Sequence, residues 1–185
     1  MKKIILLFVI LFINQKINSQ TNADCINAIP LCTTPNFTFF PTAGNGAVND
    51  IPTSPPSNIS NPSTNPASTN AGCLLAGENV PQWLLITIGN AGSLQFVFGA
   101  GTSANPQAGY YDWAMWPYSP STCANIMNNT LPPIRCNWNG TSAGGTGLAS
   151  PANITAVGGN ASNFEPPLTV NACQQFIICI SNYSG

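Results

Sequence analysis

Residues 83–88 read Trp-Leu-Leu-Ile-Thr-Ile (WLLITI), and this run decides the fold. It is rich in β-branched and aromatic residues, and Asn90-Ala91-Gly92 turns the chain directly after it. It is apolar on both faces, as in a central strand covered on two sides. Ser93 to Phe98 (SLQFVF) follows with Leu94, Phe96 and Phe98 on one face, so the two runs are expected to form a hairpin. Tyr110 to Trp116 (YYDWAMW) puts Tyr111, Trp113 and Met115 on one side and Asp112, Ala114 and Trp116 on the other. Gln175 to Ser181 (QFIICIS) is the last clear strand, with Phe176, Ile178 and Ile180 pointing inward. Phe37-Thr38-Phe39-Phe40 and Phe164 to Val170 are weaker strands, the second interrupted by Pro166-Pro167.

No window carries sustained helical periodicity, and 17 Pro and 16 Gly break the chain into short pieces. Short strands between long turns indicate an all-β fold, an antiparallel β-sandwich of jelly-roll-like type. Residues 52–70 (PTSPPSNISNPSTNPASTN) are almost wholly Pro, Ser, Thr and Asn and are expected to form an extended low-complexity loop. Gly140 to Gly159 reads as a second long loop, rich in Gly, Ala and Ser. The N-x-[ST] sequons at Asn36, Asn58, Asn128, Asn139, Asn153, Asn160 and Asn182 arise readily by chance in so Asn-rich a chain.

The N-terminus reads as an export signal. Met1-Lys2-Lys3 is a basic leader, and Ile4 to Ile13 (IILLFVILFI) is an uncharged apolar run of ten residues. A transmembrane helix needs about 20 residues, so the run fits a signal-peptide core instead. Cleavage after Ser19 is expected, which leaves 20–185 as a single secreted domain that does not span the membrane.

Charged residues make up 5% of the chain, against roughly 25% in an average soluble domain. Lys2, Lys3 and Lys16 all lie in the leader, so beyond it Arg135 alone faces Asp24, Asp50, Glu78, Asp112 and Glu165, a net charge of −4. One Arg cannot make the phosphate contacts of a nucleic-acid-binding surface. The absence of His removes Ser-His-Asp and Cys-His nucleophile systems and His-containing zinc sites.

Seven cysteines, Cys25, Cys32, Cys73, Cys123, Cys136, Cys173 and Cys179, lie beyond the cleavage site, and in an exported chain they read first as disulfides. Cys25 with Cys32 and Cys123 with Cys136 would each close a short loop, and these two pairs are expected. The odd seventh thiol must be free, pair with another chain, or pair with a residue outside this sequence.

Several words recur in a recognisable order: Asp24-Cys25-x-Asn27-Ala28-x-x-x-Cys32, Gly72-Cys73-Leu74 before Gly77-Glu78-Asn79 and Trp83, Tyr111-Asp112-Trp113-Ala114-Met115-Trp116, Cys123-Ala124-Asn125-Ile126, and Pro133-Ile134-Arg135-Cys136-Asn137. This series resembles the N-terminal β-sandwich domain of large secreted proteins of gliding, Flavobacterium-like Bacteroidetes. The resemblance implies type IX export beyond Sec, a cell-surface location and an adhesin-like or structural role. It also implies a further strand and a late Cys beyond Gly185, so a chain truncated at its C-terminal edge, with an open sheet edge, is expected. The sequence departs from the pattern at Leu84-Leu85-Ile86, where an aromatic follows the Trp, and at Cys173 and Cys179.

Glu78 and Asp112 are the acids most open to a functional reading. Asp112 lies among aromatic residues, where a lone carboxylate would cost several kcal/mol. Its partner could be backbone N–H groups, Arg135, or a structural Ca²⁺ shared with Glu78. Glycosidase chemistry would need the two acids paired across a groove, and no Ser or Cys nucleophile has a His or a nearby Lys to activate it. The chain is therefore expected to be non-enzymatic and to need no cofactor, a structural Ca²⁺ aside. Tyr110, Trp116, Tyr118 and Trp138 are the candidate ligand-contacting rings, since a flat exposed aromatic can stack on a sugar, while Tyr111 and Trp113 are assigned to the core by parity. The expected function is a non-catalytic extracellular adhesin-like module binding a surface glycan or another cell-surface protein. The alternatives are a carbohydrate-binding module of a larger secreted protein and a surface subunit that self-associates through a sheet edge.

Overall fold

The computed structural model describes residues 22–31, 38, 44–51, 74, 77–102, 105–107, 110–138 and 145–182. The expected export signal, the expected 52–70 loop, Cys32, Cys73 and all of the expected Phe37–Phe40 strand except Thr38 lie outside them. In chain order the described elements are a 3₁₀ turn at Cys25–Asn27, β1 (Ile29–Leu31), β2 (Gln82–Thr87), β3 (Gly92–Leu94), β4 (Phe96–Phe98), β5 (Ala100–Thr102), β6 (Asn105–Gln107) and β7 (Tyr111–Pro117). They continue with α1 (Thr122–Met127), β8 (Arg135–Asn137), β9 (Thr146–Leu148), α2 (Pro151–Ala156), a 3₁₀ turn at Ala161–Asn163, β10 (Phe164–Glu165), β11 (Leu168–Val170) and β12 (Gln175–Asn182).

The runs that are apolar on both faces became the inner strands. The principal sheet has the order β1-β2-β12-β7-β8. β12 lies antiparallel to β2, with Cys179 opposite Trp83, and to β7, with Cys179 opposite Ala114. β1 joins β2 in parallel, so the sheet is mixed rather than purely antiparallel. The last strand therefore sits in the middle of the sheet, and its outer strands are β1 and β8.

Each face of this sheet carries its own core. On the first, Trp83, Ala114, Trp116, Cys136, Ile177 and Cys179 pack with Cys25, Ile51, Leu74 and Ile126. On the second, Leu84, Trp113, Met115, Phe176, Ile178 and Ile180 meet Leu148, Val170, Leu94, Phe96 and Phe98 from the smaller strands. Those strands form a β10-β9-β4 sheet and a β11-β3 pair. Burying each large apolar side chain contributes roughly 1.5–3 kcal/mol, and two covered faces let a charge-poor chain exploit alternate positions in both directions. On the second face the Trp113 indole donates to Thr146 Oγ1 at 2.9 Å, whose hydroxyl donates to the Asn163 carbonyl at 2.6 Å.

Three expectations are corrected. The 83–98 segment is not a hairpin: β2 pairs with β1 and β12, and the chain after Asn90-Gly92 crosses to pair β3 with β11 and β4 with β9. The 140–159 stretch is not all loop, for it supplies β9 and α2. There Ser150 caps α2 by accepting from the Asn153 N–H, and Pro151 fills its first turn. The Phe164–Val170 run, by contrast, is interrupted where expected, forming β10 and β11 on either side of Pro166-Pro167, which lack ladder donors. The disulfides are not local: Cys25 bonds Cys123 across 98 residues, with Cα atoms 5.7 Å apart, so neither Cys25–Cys32 nor Cys123–Cys136 forms. The 3₁₀ turn and α1 each place a cysteine in the first core, and that proximity is invisible to loop length. Cys136 is also disulfide-bonded, while Cys173 is a free exposed thiol and Cys179 a free buried one.

Candidate functional site

Two regions contain the residues with chemical potential: the outer end of the β7–β8 pair and a group of buried carboxylates on the first face. β7 and β8 are antiparallel with Trp113 opposite Asn137. Tyr110 directly precedes β7 and Trp138 directly follows β8, so both rings lie at the same end of the pair. Tyr110 is 45% exposed and Trp138 40% exposed. Tyr110 also holds a left-handed backbone, φ 56°, costly for an aromatic residue and outside the extended conformation of the strand it precedes.

The other two candidate rings are not at that surface. Trp116 is fully buried, stacks on Trp83 and donates its indole N–H to the Leu131 carbonyl at 3.0 Å. It was placed outside because Trp113 was assigned inside, and alternation cannot separate in from out when both faces are covered. Tyr118 is half-buried and packs against the first core. Asp112 does not pair with Arg135. Arg135 stands opposite Met115, hence on the second face, while Asp112 shares the face of Ala114 and Trp116. The Arg135 Nη1 instead donates to the Ile134 carbonyl at 2.8 Å.

The carboxylates were legible only in part. Asp24 Oδ1 accepts from the N–H groups of Ala47 (2.7 Å) and Val48 (2.9 Å). Asp50 Oδ2 accepts from the Cys25 N–H at 2.7 Å, and Glu78 Oε1 accepts from the Asp50 N–H at 2.8 Å. Each acid thus binds the backbone of a segment bearing another acid, and together they fasten 44–51 onto 22–28 and 77–80. Gly46 makes the close approach possible: its φ is +81°, and a Cβ there would collide with Asp24 Oδ1. All three acids are buried. Burial first, then opposed by the Cys25 N–H and reinforced by the Asp24 charge, pushes Asp50 up to about 6. Burial also dominates at Glu78, pushing it up to about 8, with the Asp50 N–H and the Trp83 indole lowering it and the Asp50 and Asp24 charges raising it. Glu78 Oε2 and Trp83 Nε1 are both buried without a hydrogen bond of ordinary geometry. Burial, with the Glu78 and Asp50 charges added, raises the Cys179 thiol, which is therefore unreactive.

Ca²⁺ takes six to eight oxygens, mostly ionised carboxylates and carbonyls. Glu78 gives one oxygen to a backbone N–H and is held in its protonated form near neutral pH. Among the described residues no group of three His, Cys, Asp or Glu is arranged to hold a metal ion. No described helix is long and apolar enough to cross a membrane. No protein-family model matches the chain, and neither the curated proteins nor the solved structures contain a match to it.

Proposed function

We propose that this chain is a non-catalytic extracellular recognition module, an adhesin-like part of a cell surface, built on a jelly-roll-like sandwich and exported through its N-terminal signal. The observation that carries the reading is the exposure of Tyr110 and Trp138 at one end of the β7–β8 pair, with Asp112 of β7 near that end. Two rings beside a carboxylate suit a neutral glycan: the C–H faces of a pyranose cover the rings, and its hydroxyls donate to the acid. Low charge argues against ionic partners, and a chain without His lacks the usual base for activating a nucleophile. A disulfide between Cys25 and Cys123 is in keeping with an oxidising compartment.

The test is a glycan array probed with the chain lacking residues 1–19, beside Tyr110→Ala and Trp138→Ala. Binding that falls at least about tenfold in both variants, with unchanged melting, supports the reading. The absence of binding, or binding indifferent to both changes, overturns the glycan site. Self-association is the second reading, favoured by the free exposed thiol of Cys173. Covalent oligomers on a non-reducing gel that vanish in Cys173→Ser would select it.

A further inference from the structure

The carboxylates of Asp24, Asp50 and Glu78 do more than fill hydrogen bonds. Every hydrogen bond tying 44–51 to the rest of the described residues uses one of them, except that from the Val80 N–H to Asn45 Oδ1 at 2.7 Å. The 22–28 segment, by contrast, has independent anchors. The Trp83 N–H donates to the Asn22 carbonyl, β1 pairs with β2, and Cys25 is bonded to Cys123. Loss of the carboxylate contacts would therefore free one segment and spare the other.

The charges around the group all have one sign. From the elements packed against it come Asp24, Asp50 and Glu78 themselves, the Cys179 thiol of β12 and, farther along the same face, Asp112 of β7. Arg135, the only Lys, Arg or His among the described residues, lies on the opposite face of the sheet. Trp83, itself fully buried, brings an indole N–H with no hydrogen bond toward the one Glu78 oxygen that also has none. An uncharged donor beside an unpaired oxygen cannot balance a second or third negative charge in a buried space.

We propose that Asp24, Asp50 and Glu78 form a proton-held clasp that keeps 44–51 against the sheet in acid and releases it in base. Protons on Asp50 and Glu78 hold the negative charge to what the local N–H groups can balance. When both leave, three carboxylates share one buried space with no cation. Burial, the largest influence on both groups, opposes that state more strongly than their N–H bonds favour it. Release would bring Ile51, now fully buried, and Val48, already 40% exposed, to the surface as one apolar strip.

The experiment is amide hydrogen exchange on the oxidised chain, expressed as protection so that the intrinsic pH dependence cancels. The reporters are the N–H groups of Cys25, Ala47, Val48 and Asp50, with the amides of Ile177 to Ile180 as reference. Between about pH 6 and about pH 9 the protection of Ala47, Val48 and Asp50 is expected to fall at least about tenfold more than that of the reference amides. In Glu78→Gln, which mimics the protonated acid, that fall should be absent or moved to higher pH. Protection constant with pH, or lost in step with the reference amides, overturns the clasp. So does a folded Glu78→Gln that loses protection at the wild-type pH. If Glu78→Gln does not fold, the wild-type profile decides by itself.

Discussion

The indoles of Trp83 and Trp116 stack with centroids 5.7 Å apart and planes 29° from parallel, although β12 runs between their strands. They reach over that strand because Cys179, opposite both Trp83 and Ala114, is small. The pair is the largest apolar mass on the first face, and Trp116 anchors it through Leu131.

Trp116→Ala should therefore cost about 3–5 kcal/mol, the range for removing a buried aromatic ring from a core. Urea unfolding would measure it. A variant that melts like the wild type would place this ring at the surface after all.

Reduction of the Cys25–Cys123 bond should lower stability by about 2–5 kcal/mol, since the closed loop spans 98 residues. Peptide mapping under non-reducing conditions should recover one cross-linked species containing both cysteines. Recovery of Cys25 bound to Cys32 would contradict the structure.

Stability should fall as pH rises. Asp50 is raised from 3.8 to about 6 and Glu78 from 4.5 to about 8, so the folded state binds their protons more tightly than the unfolded chain does. Their contribution is complete below about pH 4 and is lost as pH climbs through about 6 and then about 8. Denaturant midpoints between about pH 4 and about pH 9 would check the sign. A midpoint that climbs over that interval would refute it.

The two free thiols among the described residues should differ sharply toward alkylation. Cys173 is exposed, at the turn between β11 and β12, and Cys179 lies in the first core with its thiol pushed up. Mass mapping after brief iodoacetamide treatment should find Cys173 modified in the native chain and Cys179 only after unfolding. Equal labelling of both would count against the central placement of β12.

The inner strands were legible because WLLITI, YYDWAMW and QFIICIS carry apolar residues in both parities, a pattern that requires two covered faces. That property also hid which ring was which: Trp113 and Trp116 lie on opposite faces and both are interior. β9 was illegible because Thr146-Gly147-Leu148 has almost no strand character of its own. It exists because Gly147, at φ +148°, lets the Phe96 carbonyl come where a Cβ would stand. The clasp was half visible. Glu78 could be singled out, but Asp24 and Asp50 join it only through folding. A clue lay in the scarcity of charge. Of the five acids outside the leader, Asp24, Asp50, Glu78 and Glu165 are all buried.

The place of β12 also governs how the molecule can come into being. β2 and β7 have no direct pairing, and residues 175–182, synthesised after both, are the wedge that unites them. Until that wedge arrives, the earlier two strands are separate fragments with sticky flanks and no common ladder. Assembly is consequently an all-at-once event, slow to begin because its decisive pairings span long stretches of polypeptide. A nascent copy will need shielding from its neighbours until that strand has been made.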